Sequence, residues 1–282
     1  MNISSIAEKI IKNQTPCIFV SSHPDDAIFS AGELISYLAP KTKVKIVTVF
    51  TEASNPPHTL SAKAFLRQCN YQDGLTLFKI RREEDIKACQ ALKIKFLHLG
   101  FIDASFRKKK EKSSAVKILG GFIPELGHIY PTYRMHIVSG KIAGGDENTL
   151  LEVEKKLREI KEDFKPGFVF CPLGVGNNAD HIITRDVCQK IFSKLIFWED
   201  FPYNLHAKIK KDISSKINLG SLSIADNKEE KIKIISLYKS QIKPMFPRGI
   251  VLKPEVYYIN KDRININSKM LVISSASREI CE

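Results

Sequence analysis

Along this chain, short solid runs of apolar residues alternate with longer stretches in which apolar residues recur every three or four positions. The first run, Cys17–Val20, has the unbroken character of a strand buried on both faces of a sheet. It is followed by Ile28, Ala31, Leu34, Ile35 and Leu38 at helical spacing. The same pairing recurs. Val44–Phe50 predicts a second strand, with a helical stretch from Ser61 and a helix over Arg81–Leu92 after it, and Lys95–Leu99 predicts a third. A charge-laced helix carrying Leu150, Val153, Leu157, Ile160 and Phe164 starts near a capping-box-like Thr149–Glu152 and precedes a fourth strand, Gly167–Cys171. A helix with Ile183, Val187 and Ile191 leads to a fifth strand, Leu195–Trp198. Beyond it, Asp226 is placed to cap a helix bearing Ile232, Ile235, Tyr238 and Ile242, and Val256–Ile259 reads as a short strand. Alternation of this kind predicts an α/β fold with a mainly parallel sheet flanked by helices. A single domain over residues 1–282 is expected. Residues 104–148 are irregular, and so long a connection is expected to be an excursion covering the substrate side.

Every predicted strand ends in polar or acidic residues: His23, Asp25 and Asp26; Glu52; Asp103; Asp180 and His181; Glu199 and Asp200. In a parallel sheet with helical crossovers these ends share one edge, where open α/β sheets bind ligands. His23-Pro-Asp-Asp26 crowds an imidazole and two carboxylates onto a strand-to-helix turn, and a divalent cation would relieve their repulsion. His23 and Asp26 can supply a nitrogen and an oxygen ligand, with Asp25 turned towards a water. The competing reading makes Asp25 or Asp26 a helix cap. His181, arriving on the same edge, is the third ligand of a hydrolytic site that keeps one position open.

Composition narrows the partners. The formal charge is +13, yet lysines are spread along the chain and the one tight cluster, Arg107–Lys110, has no aromatic stacking platform, so nucleic acid is the less favoured partner. The longest apolar runs are strand-length and predict no membrane span. The start of the chain has no export signal, and six cysteines without CxxC spacing, several of them in apolar runs, suggest buried thiols in a reducing cytoplasm. His58 is expected in an exposed loop, and His128 and His136 as surface or internally satisfied histidines.

His23-Pro-Asp-Asp26 after one strand and Ala-Asp180-His181 after another resemble the PIG-L/LmbE-like zinc N-deacetylases. Arg81-x-x-Glu84, Asp103, Pro172-Leu-Gly-Val-Gly, Glu199-Asp200-x-Pro202-Tyr203 and Leu237-Tyr238-Lys-Ser-Gln241 extend the resemblance over most of the chain. It implies a Rossmann-like enzyme that removes an acyl group, usually acetyl, from an amino sugar or sugar conjugate. Metal ligands would be His23, Asp26 and His181, holding zinc, or iron(II) or cobalt(II), which the same donors admit. Asp25 would be the general base and Asp180 would orient His181 or the pocket beside it. Arg81 and Asp103 would bind substrate or organise the pocket, while Tyr203 and Tyr238 are expected to pack.

Two positions depart from the family pattern. Ala27 stands where a glutamate usually continues the first motif, and Asn178 where the later motif has a histidine. Asn178 can donate a hydrogen bond to an oxyanion but supplies no proton near neutral pH. A zinc-containing carbohydrate-binding or regulatory protein with impaired catalysis is therefore the alternative.

Overall fold

The structure is a computed structural model and describes residues 2–110, 120–207, 216–222 and 228–260. Its centre is a seven-stranded sheet in the order β3-β2-β1-β4-β5-β7-β6. The strands are β1 (Cys17–Ser21), β2 (Val44–Glu52), β3 (Lys95–Ile102), β4 (Phe168–Pro172), β5 (Leu195–Trp198), β6 (Lys216–Leu222) and β7 (Glu255–Asn260). The first five run parallel. β7 is antiparallel to both β5 and β6.

Alternate strand residues feed two cores. Phe19, Ile46, Phe170, Ile196 and Trp198 face one side, where α1 (Ile3–Lys12), α2 (Asp26–Leu38) and the end of α4 (Gly74–Ala91) pack. Ile18, Val47, Val169, Cys171 and Phe197 face the other, under α6 (Glu147–Phe164) and α7 (Ala179–Ile191). Phe19 and Phe170 stack across β1 and β4 with ring centroids 4.5 Å apart. With both faces covered, β1, β2, β4 and β5 are largely apolar, as the sequence indicated, whereas the edge strand β3 is partly exposed.

The order 3-2-1-4-5 reverses at β1, so the crossovers leaving β1 and β4 diverge and open a crevice beyond their carboxyl ends. The turns carrying His23–Asp26 and Asn178–His181 follow these two strands.

Several elements differ from the sequence reading. Helix α1 was not anticipated, although Asn2 and Ser5 form a reciprocal cap and Ile3, Ile6, Ala7 and Ile10 are buried. The antiparallel strand β6 was also missed. Helix α6 begins at Glu147, ahead of Thr149; Asp146 precedes it without a side-chain cap, its carboxylate pairing with Arg107 instead. The single helix expected through Ile242 is two, α8 (Lys228–Ile235) and α9 (Lys239–Met245). The break is enforced from α4: Glu84 accepts hydrogen bonds from the Ser240 backbone N–H and hydroxyl, and Tyr238 donates its hydroxyl to Asp85 at 2.7 Å. Asp226 and Cys281 lie outside the described residues.

The described part of the excursion is a series of short turns: Ala104–Phe106, α5 (Pro124–Gly127), a π-turn at Tyr133–Ile137 and Gly144–Asp146. A small core of Ala104, Ile129, Tyr130 and Ile137 with Ala179 fastens it against the start of α7. Helix α3 (Leu60–Gln68) lies beside it. Among the described residues no helix is long and apolar enough to cross a membrane.

Candidate metal centre

Asp25 stands at the N-cap position of α2 with a positive φ of 137°, but its side chain makes no cap hydrogen bond, and Asp26 turns back to the His23 N–H, so the capping reading of either carboxylate finds no support. A non-glycine residue held there is strained, by about 1–3 kcal/mol for sparsely populated backbone regions. The tight turn that imposes the strain sends Asp25 and Asp26 to different partners. Asp26 Oδ2 accepts the His23 backbone N–H at 2.8 Å and lies 3.1 Å from His23 Nδ1 and 3.2 Å from His181 Nε2. Asp25 Oδ2 accepts from Arg81 Nη2 at 3.0 Å, and its Oδ1 is buried with no hydrogen-bond partner. The turn is braced by Ser21, whose hydroxyl donates to the His23 carbonyl at 2.7 Å and accepts the Ala27 N–H at 3.0 Å.

His181 is fully buried, and its Nδ1 lies 2.6 Å from Asp200 Oδ1. With Nδ1–H donating there, Nε2 is the nitrogen left to face Asp26 Oδ2, 3.2 Å away. His23 is arranged likewise: its Nε2 lies 3.0 Å from Asp180 Oδ2 and 3.2 Å from Asp103 Oδ2, leaving Nδ1 for the side shared with Asp26 and His181. Three acceptors thus converge from His23, Asp26 and His181 within the reach of a single ion. Two neutral imidazoles and one carboxylate are a donor set that suits zinc, and each is already oriented from behind, so the residues fit a metal. His23, Asp103 and Asp180 form a second convergent group, but its carboxylates are engaged elsewhere, by the Ser105 and Ala104 N–H groups and Arg107.

The electrostatics agree. Burial works to lower the pKa of His181, but Asp26 and Asp200 together push it up to about 10. His23 is likewise raised against the opposing effect of burial, by Asp26, Asp103 and Asp180. Burial works to raise Asp26, yet the two imidazoles hold it well below the usual carboxylate range. A site that attracts protons this strongly attracts a cation. Asp25 behaves differently: burial, only partly offset by Arg81, pushes it up to about 7.

Around these groups lies a cavity of about 330 Å³. His23, Asp25, Asp26, Arg81, Asp103 and Asn178 are among its polar lining, while Phe65 of α3, Ile137 of the excursion and Met245 of α9 supply apolar wall. Asn178 caps α7, its Oδ1 accepting the Asp180 N–H at 2.9 Å, so its NH₂ end remains to face the cavity.

A family description, GlcNAc-PI de-N-acetylase (PIG-L), matches residues 18–192. The chain belongs to the PIG-L family. Among its relatives, 2'-N-acetylparomamine deacetylase of Streptomyces fradiae is 22% identical over 248 residues, which cover 84% of this chain and 76% of that protein. Among solved structures, a deacetylase–teicoplanin complex superposes with a TM-score of 0.68 at 20% identity, covering 88% of this chain and 99% of the other. A zinc-inhibited form of teicoplanin deacetylase gives a TM-score of 0.65 at 21% identity, with the same coverage. At these identities the structures establish the shared fold.

In this PIG-L chain the weaker motifs find physical roles. Gly174 of the Pro172–Gly176 loop has φ +89°, and its N–H and that of Val175 both donate at 2.8 Å to Asp200, the carboxylate behind His181. Arg81 is buried, its guanidinium on Asp25. Of the two roles the resemblance implied for Asp180, orienting His181 or the pocket beside it, its contacts match the second: it touches His23, and Asp200 holds His181. Tyr238 packs, whereas Tyr203 lines the cavity, its ring edge-on to His181 at 5.5 Å.

Sequence reading missed three further features. His58, expected in solvent, is 4% exposed against Phe106, whereas His128 fits the internally satisfied alternative, buried with Nδ1 on the Pro124 carbonyl. Arg107, read as part of a surface basic cluster, is buried between carboxylates. Gln241 lines the cavity from a segment beyond the family match. A signal existed for Gln241, in the Leu237–Gln241 motif, and for Asp200, as an acidic strand end.

Proposed function

We propose that this protein is a metal-dependent amide hydrolase that removes an N-acyl group, acetyl being the expected one, from an amino sugar or sugar conjugate. The observation that carries the reading is the convergence of His23 Nδ1, Asp26 Oδ2 and His181 Nε2 from three buried side chains. Family membership and the similarity to 2'-N-acetylparomamine deacetylase support the acyl and sugar assignment. Zinc is the proposed ion. When bound, it supplies Lewis acidity towards an acyl carbonyl and lowers the pKa of a water from 15.7 to about 7.

The remaining chemistry falls to side chains. Asp25, with one oxygen fixed by Arg81 and the other unpartnered, takes the proton from the attacking water. The same carboxyl then returns it to the departing nitrogen, so that water and amide give a carboxylic acid and an amine, and the acid's own proton passes on to leave carboxylate and ammonium. This route does not require the histidine that Asn178 replaces. The Asn178 amide donates to the carbonyl oxygen as negative charge develops. Asp103, with one oxygen on the Ser105 N–H and lining the cavity, accepts from a sugar hydroxyl, and Arg81 organises the pocket through Asp25.

Incubating zinc-loaded protein with a panel of N-acetylated amino sugars and their conjugates, and quantifying new primary amine, tests the reading. Amine release that disappears on chelation and returns with zinc is expected. No release from any panel member, with one zinc bound at His23, Asp26 and His181, would refute it. The asparagine at 178 motivates the second reading, a sugar-binding protein with impaired catalysis, which predicts binding of the panel without turnover.

A further inference from the structure

Arg107 was not among the residues expected at the site, and it is 4% exposed although it begins a run of lysines. Every face of its guanidinium group is occupied. Nε donates to the Ile102 carbonyl at 3.0 Å, Nη1 to Asp146 and Nη2 to Asp180. The guanidinium carbon sits 4.7 Å from the Phe50 ring centroid and 5.7 Å from that of Tyr130. Both carboxylates are fully buried. Asp180 is the informative partner. Its Oδ1 takes Arg107, while its Oδ2 accepts the Ala104 N–H at 2.8 Å and stands 3.0 Å from His23 Nε2. A continuous path therefore leads from Asp146, at the head of α6, through Arg107 and Asp180 to the outer nitrogen of His23.

We infer that Arg107 is a positioning residue for the metal centre: it fixes Asp180 against His23 Nε2 and so turns His23 Nδ1 onto the point shared with Asp26 and His181. This inference rests on the metal reading proposed above. The geometry favours it over a purely structural tie. A buried arginine needs only one carboxylate for neutrality, and Asp146 supplies that. The second contact goes to the carboxylate that touches a ligand, and the planar fork of arginine reaches both at once, which a lysine ammonium does not match. Loss of an outer partner of a metal-bound histidine typically costs about 10–100-fold in metal affinity. The path also gives the excursion a second role, since it carries Arg107, Ala104 and Asp146 and thereby helps hold a ligand on the sheet.

The test compares Arg107→Lys with Asp146→Asn, using zinc affinity measured by competition with a chromophoric chelator and the rise in melting temperature on adding zinc to metal-stripped protein. Lysine keeps the charge but loses the fork. Asparagine at 146 loosens the α6 end yet leaves Arg107 on Asp180. Arg107→Lys is expected to bind zinc about 10–100-fold more weakly and to show a smaller zinc-induced rise. Asp146→Asn is expected to melt lower, with zinc affinity within about threefold of the parent. If Arg107→Lys does not fold, the double variant Arg107→Met with Asp146→Asn, which removes one charge of each sign, is read in its place and is expected to show the same weak binding. Parental zinc affinity in whichever variant is read, or an equal loss in Asp146→Asn, overturns the inference. Absence of zinc binding in the parent protein would instead remove the metal reading itself.

Discussion

Replacing Asp25 with asparagine separates the two jobs that crowd the His23–Asp26 turn. Asp25 takes no part in the three-atom convergence, and an amide oxygen at its place still accepts from Arg81, so the metal content should be unchanged. What disappears is the proton acceptor. General acid–base groups contribute about 10²–10⁴-fold, and at about 1.36 kcal/mol per decade the barrier rises by about 3–5 kcal/mol. Stability should move the other way. In the metal-stripped protein burial raises Asp25 to about 7, against 3.8 for an ordinary aspartate. Between those values the folded state binds the extra proton, so stability falls as pH rises through this window and the loss is complete above about 7. Asparagine removes this contribution. Arg81 keeps Asp103 and Asp26 as charge partners. Metal-stripped Asp25→Asn should therefore melt no lower than the parent at pH 8 and lose less stability between pH 4 and 7. The assays are amine release, zinc per chain and melting temperature across pH. A fall in activity under tenfold, or zinc lost together with activity, would show that the carboxylate is not the base.

Three further outcomes are expected. Asn178→His should raise kcat severalfold or more on any N-acetylated sugar that the parent turns over slowly, and a large gain from a near-zero start would favour the sugar-binding reading. Gly174→Ala should destabilise by more than about 1 kcal/mol, because φ is +89° and the new Cβ would meet Ile182 Cδ1 at 2.9 Å; it should also weaken zinc binding by loosening Asp200, which melting and chelator competition would reveal. Burial pushes the Cys17 thiol up to about 12 and that of Cys69 to about 11, so in a Cys281→Ser variant neither should react with a disulfide reagent at pH 8 until denaturant is added.

Much of the fold was legible in local pattern. Strands buried on both faces must be apolar throughout, so β1, β2, β4 and β5 stand out in the sequence, and a helix packed on a sheet shows its period, as α6 and α7 do. Helix α1 was overlooked although its spacing was present. The break between α8 and α9 was not legible, because the acceptors that cause it, Glu84 and Asp85, lie on α4. The same division runs through the candidate site. His23, Asp26 and His181 could be named because strand ends share an edge. Asp200 could be noticed as a strand-end acid, but its tie to His181 could not. Neither could Arg107, since a basic residue beside three lysines reads as surface until Phe50, Tyr130 and two buried aspartates are seen to enclose it.

The amino-acid order alone determined the alternation of strands and helices, and with it which side chains arrive at the carboxyl edge, because these follow from periodicity and chain direction. Only the tertiary structure decided which carboxylate stands behind which histidine and which charges leave water. Those outcomes depend on contacts between segments far apart in sequence, where burial strengthens each pairing and no local pattern records the partner.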